Sequence, residues 1–111
     1  YPDAQAVEWK DKLTAFVASF IEDDINYAAT FSNDGEWQVT EHNINENQLP
    51  AAVKDGYDKS KFSDWKLLKV VYLEYPENEI NYRVEVGKGD IKKRNLYFNS
   101  DGRLIKDKMT L

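Results

Sequence analysis

A chain of 111 residues supports one domain with a core of its own, burying about two-thirds of the surface that its unfolded form exposes. Apolar residues at 41% and aromatic residues at 14% mark a folding sequence; a net charge of −5 disfavours nucleic acid as a partner. The absence of cysteine removes disulfides, thiolate metal sites and thiol catalysis, and no apolar run reaches the length of a membrane span. The chain begins Tyr1-Pro2 without Met, as expected of a processed form from which an export signal has been removed.

Residues 1–6 are short and irregular, residues 7–10 begin to alternate, and Asp11-Lys12 is a polar break. Residues 13–21 alternate as Leu13, Ala15, Val17 and Ser19 against Thr14, Phe16, Ala18 and Phe20, which predicts a strand apolar on both faces. Glu22-Asp23-Asp24 is a turn. A strand over 25–31 follows, with Ile25, Tyr27, Ala29 and Phe31 on one face. Ser32-Asn33-Asp34-Gly35 predicts a hairpin turn, because Asp-Gly supplies the positive φ that such turns need. Residues 36–41 return as a strand carrying Trp37 and Val39, and residues 42–48 form a polar connector.

The organising stretch comes next. Leu49, Ala52, Val53, Gly56 and Tyr57 fall at i, i+3, i+4, i+7 and i+8, one apolar stripe of a helix over about residues 49–60. Pro50 suits its first position, where a missing N–H costs nothing. A polar linker runs on to Asp64, broken by Phe62. Residues 65–75 are a long apolar strand closed by Pro76. Ile80, Tyr82, Val84 and Val86 alternate with Asn81, Arg83 and Glu85 as a half-buried strand. Gly87-Lys88-Gly89-Asp90 is a turn, residues 91–99 a strand, Ser100-Asp101-Gly102 a turn, and residues 103–106 close the sheet.

Phe31-Ser32-Asn33-Asp34-Gly35-Glu36-Trp37 is similar to Phe98-Asn99-Ser100-Asp101-Gly102-Arg103-Leu104 at an offset of 67 residues. At that offset Ala15 falls on Tyr82, Val17 on Val84 and Ser19 on Val86. The chain therefore divides into two repeats, residues 1–44 and 45–111, the second carrying the helix. The matching helix of the first repeat would fall before Tyr1. A sheet without that cover is expected to expose an apolar patch and to self-associate.

Leu49-Pro50-Ala51-Ala52-Val53, Tyr82-Arg83-Val84-Glu85-Val86, Leu96-Tyr97-Phe98-Asn99-Ser100-Asp101-Gly102 and Trp37-Gln38-Val39-Thr40-Glu41 together resemble the PepSY-like family of β-lactamase-inhibitor-like proteins, over residues 7–105. The resemblance implies the fold of β-lactamase inhibitory protein: tandem repeats of a helix and antiparallel strands, forming one antiparallel sheet with helices on one side. It also implies export to the periplasm or beyond the cell. The inhibitor label rests on fold analogy and carries over no inhibitory residue.

Catalysis finds little support. His42 is the one histidine, in a polar stretch beside Glu41 and Asn43, and no Gly-x-Ser-x-Gly elbow exists. Glu22-Asp23-Asp24 and the Asp-Gly pairs lack the spacing of a calcium loop, and turn chemistry explains them. Lys92-Lys93-Arg94 reads as the solvated face of a strand. The sequence assigns no catalytic residue, no cofactor and no metal. If Ala15, Val17, Tyr82, Val84, Leu96 and Phe98 face the helix, their neighbours face away. That second face would carry Phe16, Ala18, Phe20, Tyr72, Arg83, Glu85, Lys93, Asn95 and Tyr97, a mixture of aromatics and charge like a protein-binding hot spot.

The expected fold is α+β: one antiparallel sheet of about seven or eight strands with a single helix across one face. The expected function is an exported, non-enzymatic protein-binding module using the open sheet face, inhibition of a periplasmic hydrolase being its specific form. The alternative is a small-ligand or envelope-sensing domain with a pocket between helix and sheet, lined by Tyr57, Tyr82 and Trp37.

Overall fold

The structure, a computed structural model, describes the backbone of residues 5–11 and 15–110, and the side chains from residue 16 to residue 110. Eight strands lie in one antiparallel sheet whose order follows the sequence: β1 Gln5–Asp11, β2 Ala15–Glu22, β3 Ile25–Ser32, β4 Trp37–Ile44, β5 Lys66–Tyr75, β6 Glu79–Lys88, β7 Lys92–Asn99 and β8 Leu104–Thr110. One α-helix, α1 Ala51–Asp58, precedes β5. The predicted α+β class and single helix are as found. Of the predicted first elements, residues 1–4 and the break at Lys12 lie outside the described residues, as do Leu13 and Thr14 of the predicted second strand.

Two compact units divide the chain. The first takes residues up to His42 together with Leu73–Glu79, and the second takes Asn43–Tyr72 and the chain from Ile80 onward.

In the first unit, β2 and β3 pair with Ala18 opposite Ala29, Phe20 opposite Tyr27 and Phe16 opposite Phe31. The Phe20 and Tyr27 rings stack with centroids 5.3 Å apart. Asp23 and Asp24 form a two-residue turn with φ of 51° and 64°, the left-handed pair that a tight hairpin needs. Thr40 is buried opposite Ala29, and its hydroxyl accepts a hydrogen bond of 2.7 Å from the Trp37 indole N–H. His42 lies inside β4, not in a connector. The strand runs on through polar Glu41, His42 and Asn43, whose composition hides its extended backbone.

In the second unit, Leu49, Val53 and Tyr57 bury one row of α1 and its approach against Val70, Tyr82, Val84, Val86, Leu96 and Phe98. The expected stripe is wider than the observed one. Ala52 is exposed, and its carbonyl oxygen lies against the Asp101-Gly102 turn: a Cβ on Gly102 would stand 2.0 Å from that oxygen. After α1, the Ser60 hydroxyl donates to the Tyr57 carbonyl at 2.7 Å and accepts from the Phe62 N–H at 3.2 Å. Phe62 is thereby turned into the core, 3% exposed, with its ring edge-on to Trp65 at 5.4 Å.

The two Asp-Gly turns share one hydrogen-bond pattern. Gly35 N–H donates to the Ser32 carbonyl and Gly102 N–H to the Asn99 carbonyl, with φ of 86° and 85° at the glycines. The Ser32 hydroxyl accepts from the Glu36 N–H at 3.1 Å, and the Asn99 side-chain oxygen from the Arg103 N–H at 3.0 Å. A register shift follows in each, at Thr30/Phe31 and at Tyr97/Phe98. Every one of these correspondences falls at the 67-residue offset.

Candidate functional site

The register of the second unit sorts the predicted face residues. Arg83 pairs with Tyr97 and Glu85 with Asn95 across β6 and β7; Tyr97 then pairs with Lys106 and Asn95 with Lys108 across β7 and β8. Directly opposed residues of antiparallel strands share a face, so Arg83–Tyr97–Lys106 and Glu85–Asn95–Lys108 are two parallel rows. Within them, Arg83 Nε lies 3.2 Å from Glu85 Oε2, and Lys106 Nζ lies 5.0 Å from the Tyr97 ring centroid. Arg83, Glu85, Asn95 and Tyr97 are half-buried, whereas Lys106 and Lys108 are exposed. Contact with Lys108, by hydrogen bond and then by like charge, holds the Lys106 ammonium below its ordinary pKa.

Neither Lys106 nor Lys108 belongs to the face that the sequence predicts, because the pattern ends the last strand at Lys106. It continues to Thr110, and its run of Lys106, Asp107 and Lys108 suits a charged edge strand, which resists pairing with other chains. On the opposite face, Asp107 forms an ion pair with Arg94.

Other predicted face residues lie elsewhere. Tyr72 packs against the helix-side core, its ring edge-on to Tyr82 at 5.6 Å, so it does not belong to the far face. The strand is apolar on both sides, and periodicity alone could not choose. Phe20 and Ala18 are each 4% exposed and therefore cannot serve as open anchors. Phe16 is half-buried opposite Phe31. Lys93 does lie on the predicted face: it pairs with Gly87 and Thr110 in the row beside Glu85–Asn95–Lys108, at the start of β7. Tyr57 and Tyr82 belong to the packed core of the second unit, and Trp37 lies in the first. Tyr57 Oη donates to the Trp65 carbonyl at 3.1 Å, and burial pushes both phenols above their ordinary pKa. Among the described residues, no group of three or more His, Asp or Glu is placed to hold a metal ion, and no helix is long and apolar enough to cross a membrane.

An antiparallel sheet in sequence order, one helix with a buried Val53–Tyr57 row, and an aromatic and charged sheet face define a small helix-and-sheet protein of the α+β class. Residues 14–106 match the family model described as "Putative beta-lactamase-inhibitor-like, PepSY-like". A BLIP-like protein from Bacteroides fragilis is 35% identical, with a TM-score of 0.85 over 98% of this chain and 77% of that one. A protein from Bacteroides eggerthii, described as a putative periplasmic protein, is 25% identical with a TM-score of 0.86, over 98% and 80% of the two chains. A DUF2874 family protein from Bacteroides uniformis shares the fold at 22% identity and a TM-score of 0.88, over 98% and 80%. No match is found among curated proteins. The chain belongs to the PepSY-like, β-lactamase-inhibitor-like family, as its motifs implied.

Proposed function

We propose that this chain is an exported binding module that engages another protein through the far face of its sheet, and that it does so without catalysis. The observation that carries the reading is the pair of rows Arg83–Tyr97–Lys106 and Glu85–Asn95–Lys108. An aromatic ring flanked by ion-paired Arg83 offers apolar area with fixed polar partners, the composition of interface hot spots, while Lys106 and Lys108 add steering charge at the rim. Export is supported by the relative described as periplasmic, and the inhibitor-like family name makes a hydrolase of the envelope the first partner to try.

The test is direct. The protein is immobilised and a panel of purified serine β-lactamases is passed over it, with hydrolysis of a chromogenic substrate followed in parallel. Saturable binding that falls at least tenfold in Arg83→Ala/Tyr97→Ala, with melting temperature retained, supports both partner class and face. Binding that the double variant leaves unchanged overturns the face. Absence of binding and of inhibition across the panel overturns the inhibitor form of the proposal.

A further inference from the structure

The second unit contains a pocket of about 500 Å³ lined by Lys61, Phe62, Trp65, Ile91, Met109 and the Lys92-Lys93-Arg94 run, with Thr110 at its edge. Its floor is aromatic: Phe62 and Trp65 meet edge to face at 5.4 Å. Its apolar wall is unusually open to solvent, with Ile91 85% and Met109 65% exposed. Its charge is of one sign. Lys61 Nζ lies 5.3 Å from the Phe62 ring centroid, the Arg94 guanidinium 5.5 Å from the same centroid, and Lys88 Nζ 5.9 Å from that of Trp65. No acidic residue is among those lining it; Asp107 offsets Arg94 through their ion pair, leaving Lys61, Lys92 and Lys93 as lining cations.

Two features are costly without an occupant. Large apolar side chains are left in water beside an aromatic floor, and a cluster of like charges is held together in a chain whose net charge is −5. We infer that this pocket binds a small amphiphilic anion, with an aromatic or alkyl body lying against Trp65, Ile91 and Met109 and an acidic group facing Lys61, Lys92 and Lys93. The volume falls in the range of sites that enclose single small molecules, and a few charged groups around an apolar lining is the usual way such sites fix orientation. The pocket lies at the start of β7, four residues along the strand from the Arg83–Tyr97–Lys106 row, and does not depend on that row having a partner.

The experiment titrates 2-naphthoate into the ¹⁵N-labelled protein and follows the indole N–H signals, with 2-naphthylmethanol and 2-naphthylmethylammonium as the neutral and cationic isosteres. Trp65→Phe assigns its signal. The expected result is a saturable shift of the Trp65 indole with naphthoate, weakened by added salt, about tenfold weaker for the alcohol and weaker still for the ammonium. Lys61→Glu/Lys92→Glu, both exposed positions, is expected to reduce naphthoate affinity about tenfold or more while leaving the backbone spectrum folded. Ile91→Ser/Met109→Ser is expected to weaken all three probes together. Equal binding of the three isosteres, a Trp65 signal that does not move, or undiminished naphthoate affinity in the charge-reversal variant would each overturn the inference.

Discussion

His42 shows how much a single side chain changes meaning when its backbone is extended. As a connector residue it would be solvated; inside β4 it is half-buried, its ring 4.9 Å from that of Tyr27. Burial holds the imidazole below its ordinary pKa of 6.5, against the opposing pull of the Glu74 carboxylate. The native state therefore resists a proton that the unfolded chain accepts. The unfolded state binds more protons as pH falls through the ordinary imidazole value, so His42 makes stability decline on acidification there and has little effect above it. His42→Gln is expected to flatten the fall in melting temperature between about pH 7 and pH 5 relative to the parent. Parallel profiles for the two proteins would show that burial of this imidazole is not linked to folding. The polar residues around His42 carry no apolar period, so the sequence pattern ends this strand at Glu41.

At the scale of elements, the helix was legible because Leu49, Val53 and Tyr57 recur at four-residue spacing, and the turns because Asp-Gly demands a positive φ. What places the helix was not legible. Gly56 and Gly102 lie far apart in sequence, yet a Cβ on Gly56 would stand 2.0 Å from the Gly102 carbonyl oxygen, and one on Gly102 would stand 2.0 Å from the Ala52 carbonyl oxygen. Helix backbone thus rests on turn backbone, an approach that only residues without a side chain permit. Both contacts are to main-chain atoms, which cannot swing aside as a side-chain tip would. Gly56→Ala is expected to destabilise the protein by about 2 kcal/mol despite the better helix propensity of alanine, which favours the change by up to about 1 kcal/mol. Gly102→Ala is expected to cost more, because its φ of 85° adds backbone strain to the clash. Since both substitutions lift the same helix from the same turn, their double variant should lose less than the sum of the single losses. Denaturant unfolding of the three variants measures this; additive losses would mean that the two contacts are independent.

For the whole molecule, hydrophobic alternation revealed the sheet, the motifs revealed the family, and neither revealed which apolar strand faces are closed. Phe20 and Tyr72 sit in strands that are apolar on both sides, so period 2 identifies two faces without saying which is covered. Tyr97 was found because its neighbours Arg83, Glu85 and Asn95 are polar and the alternation of β6 is clean. Burial is uneven in the same way. Val84, Leu96 and Phe98 have no exposed surface, and adjacent β6 and β7 hold them under α1; β8, at the end of the sheet order, exposes every residue from Ile105 to Met109. Amides of β6 and β7 should accordingly exchange only through global unfolding, while those of β8 exchange through local opening of the edge. Native-state hydrogen exchange with rising denaturant distinguishes the two routes. The Val84, Leu96 and Phe98 amides should follow the denaturant slope of global unfolding, and the Lys106 and Lys108 amides should be nearly insensitive to it. Leu96→Ala, which opens a cavity at a fully buried site, should lower the first group by about 3 kcal/mol and leave the second unchanged. A common loss at both would show that the edge strand opens only when the core does, and the charged rim of the proposed binding face would then be as rigid as the core behind it.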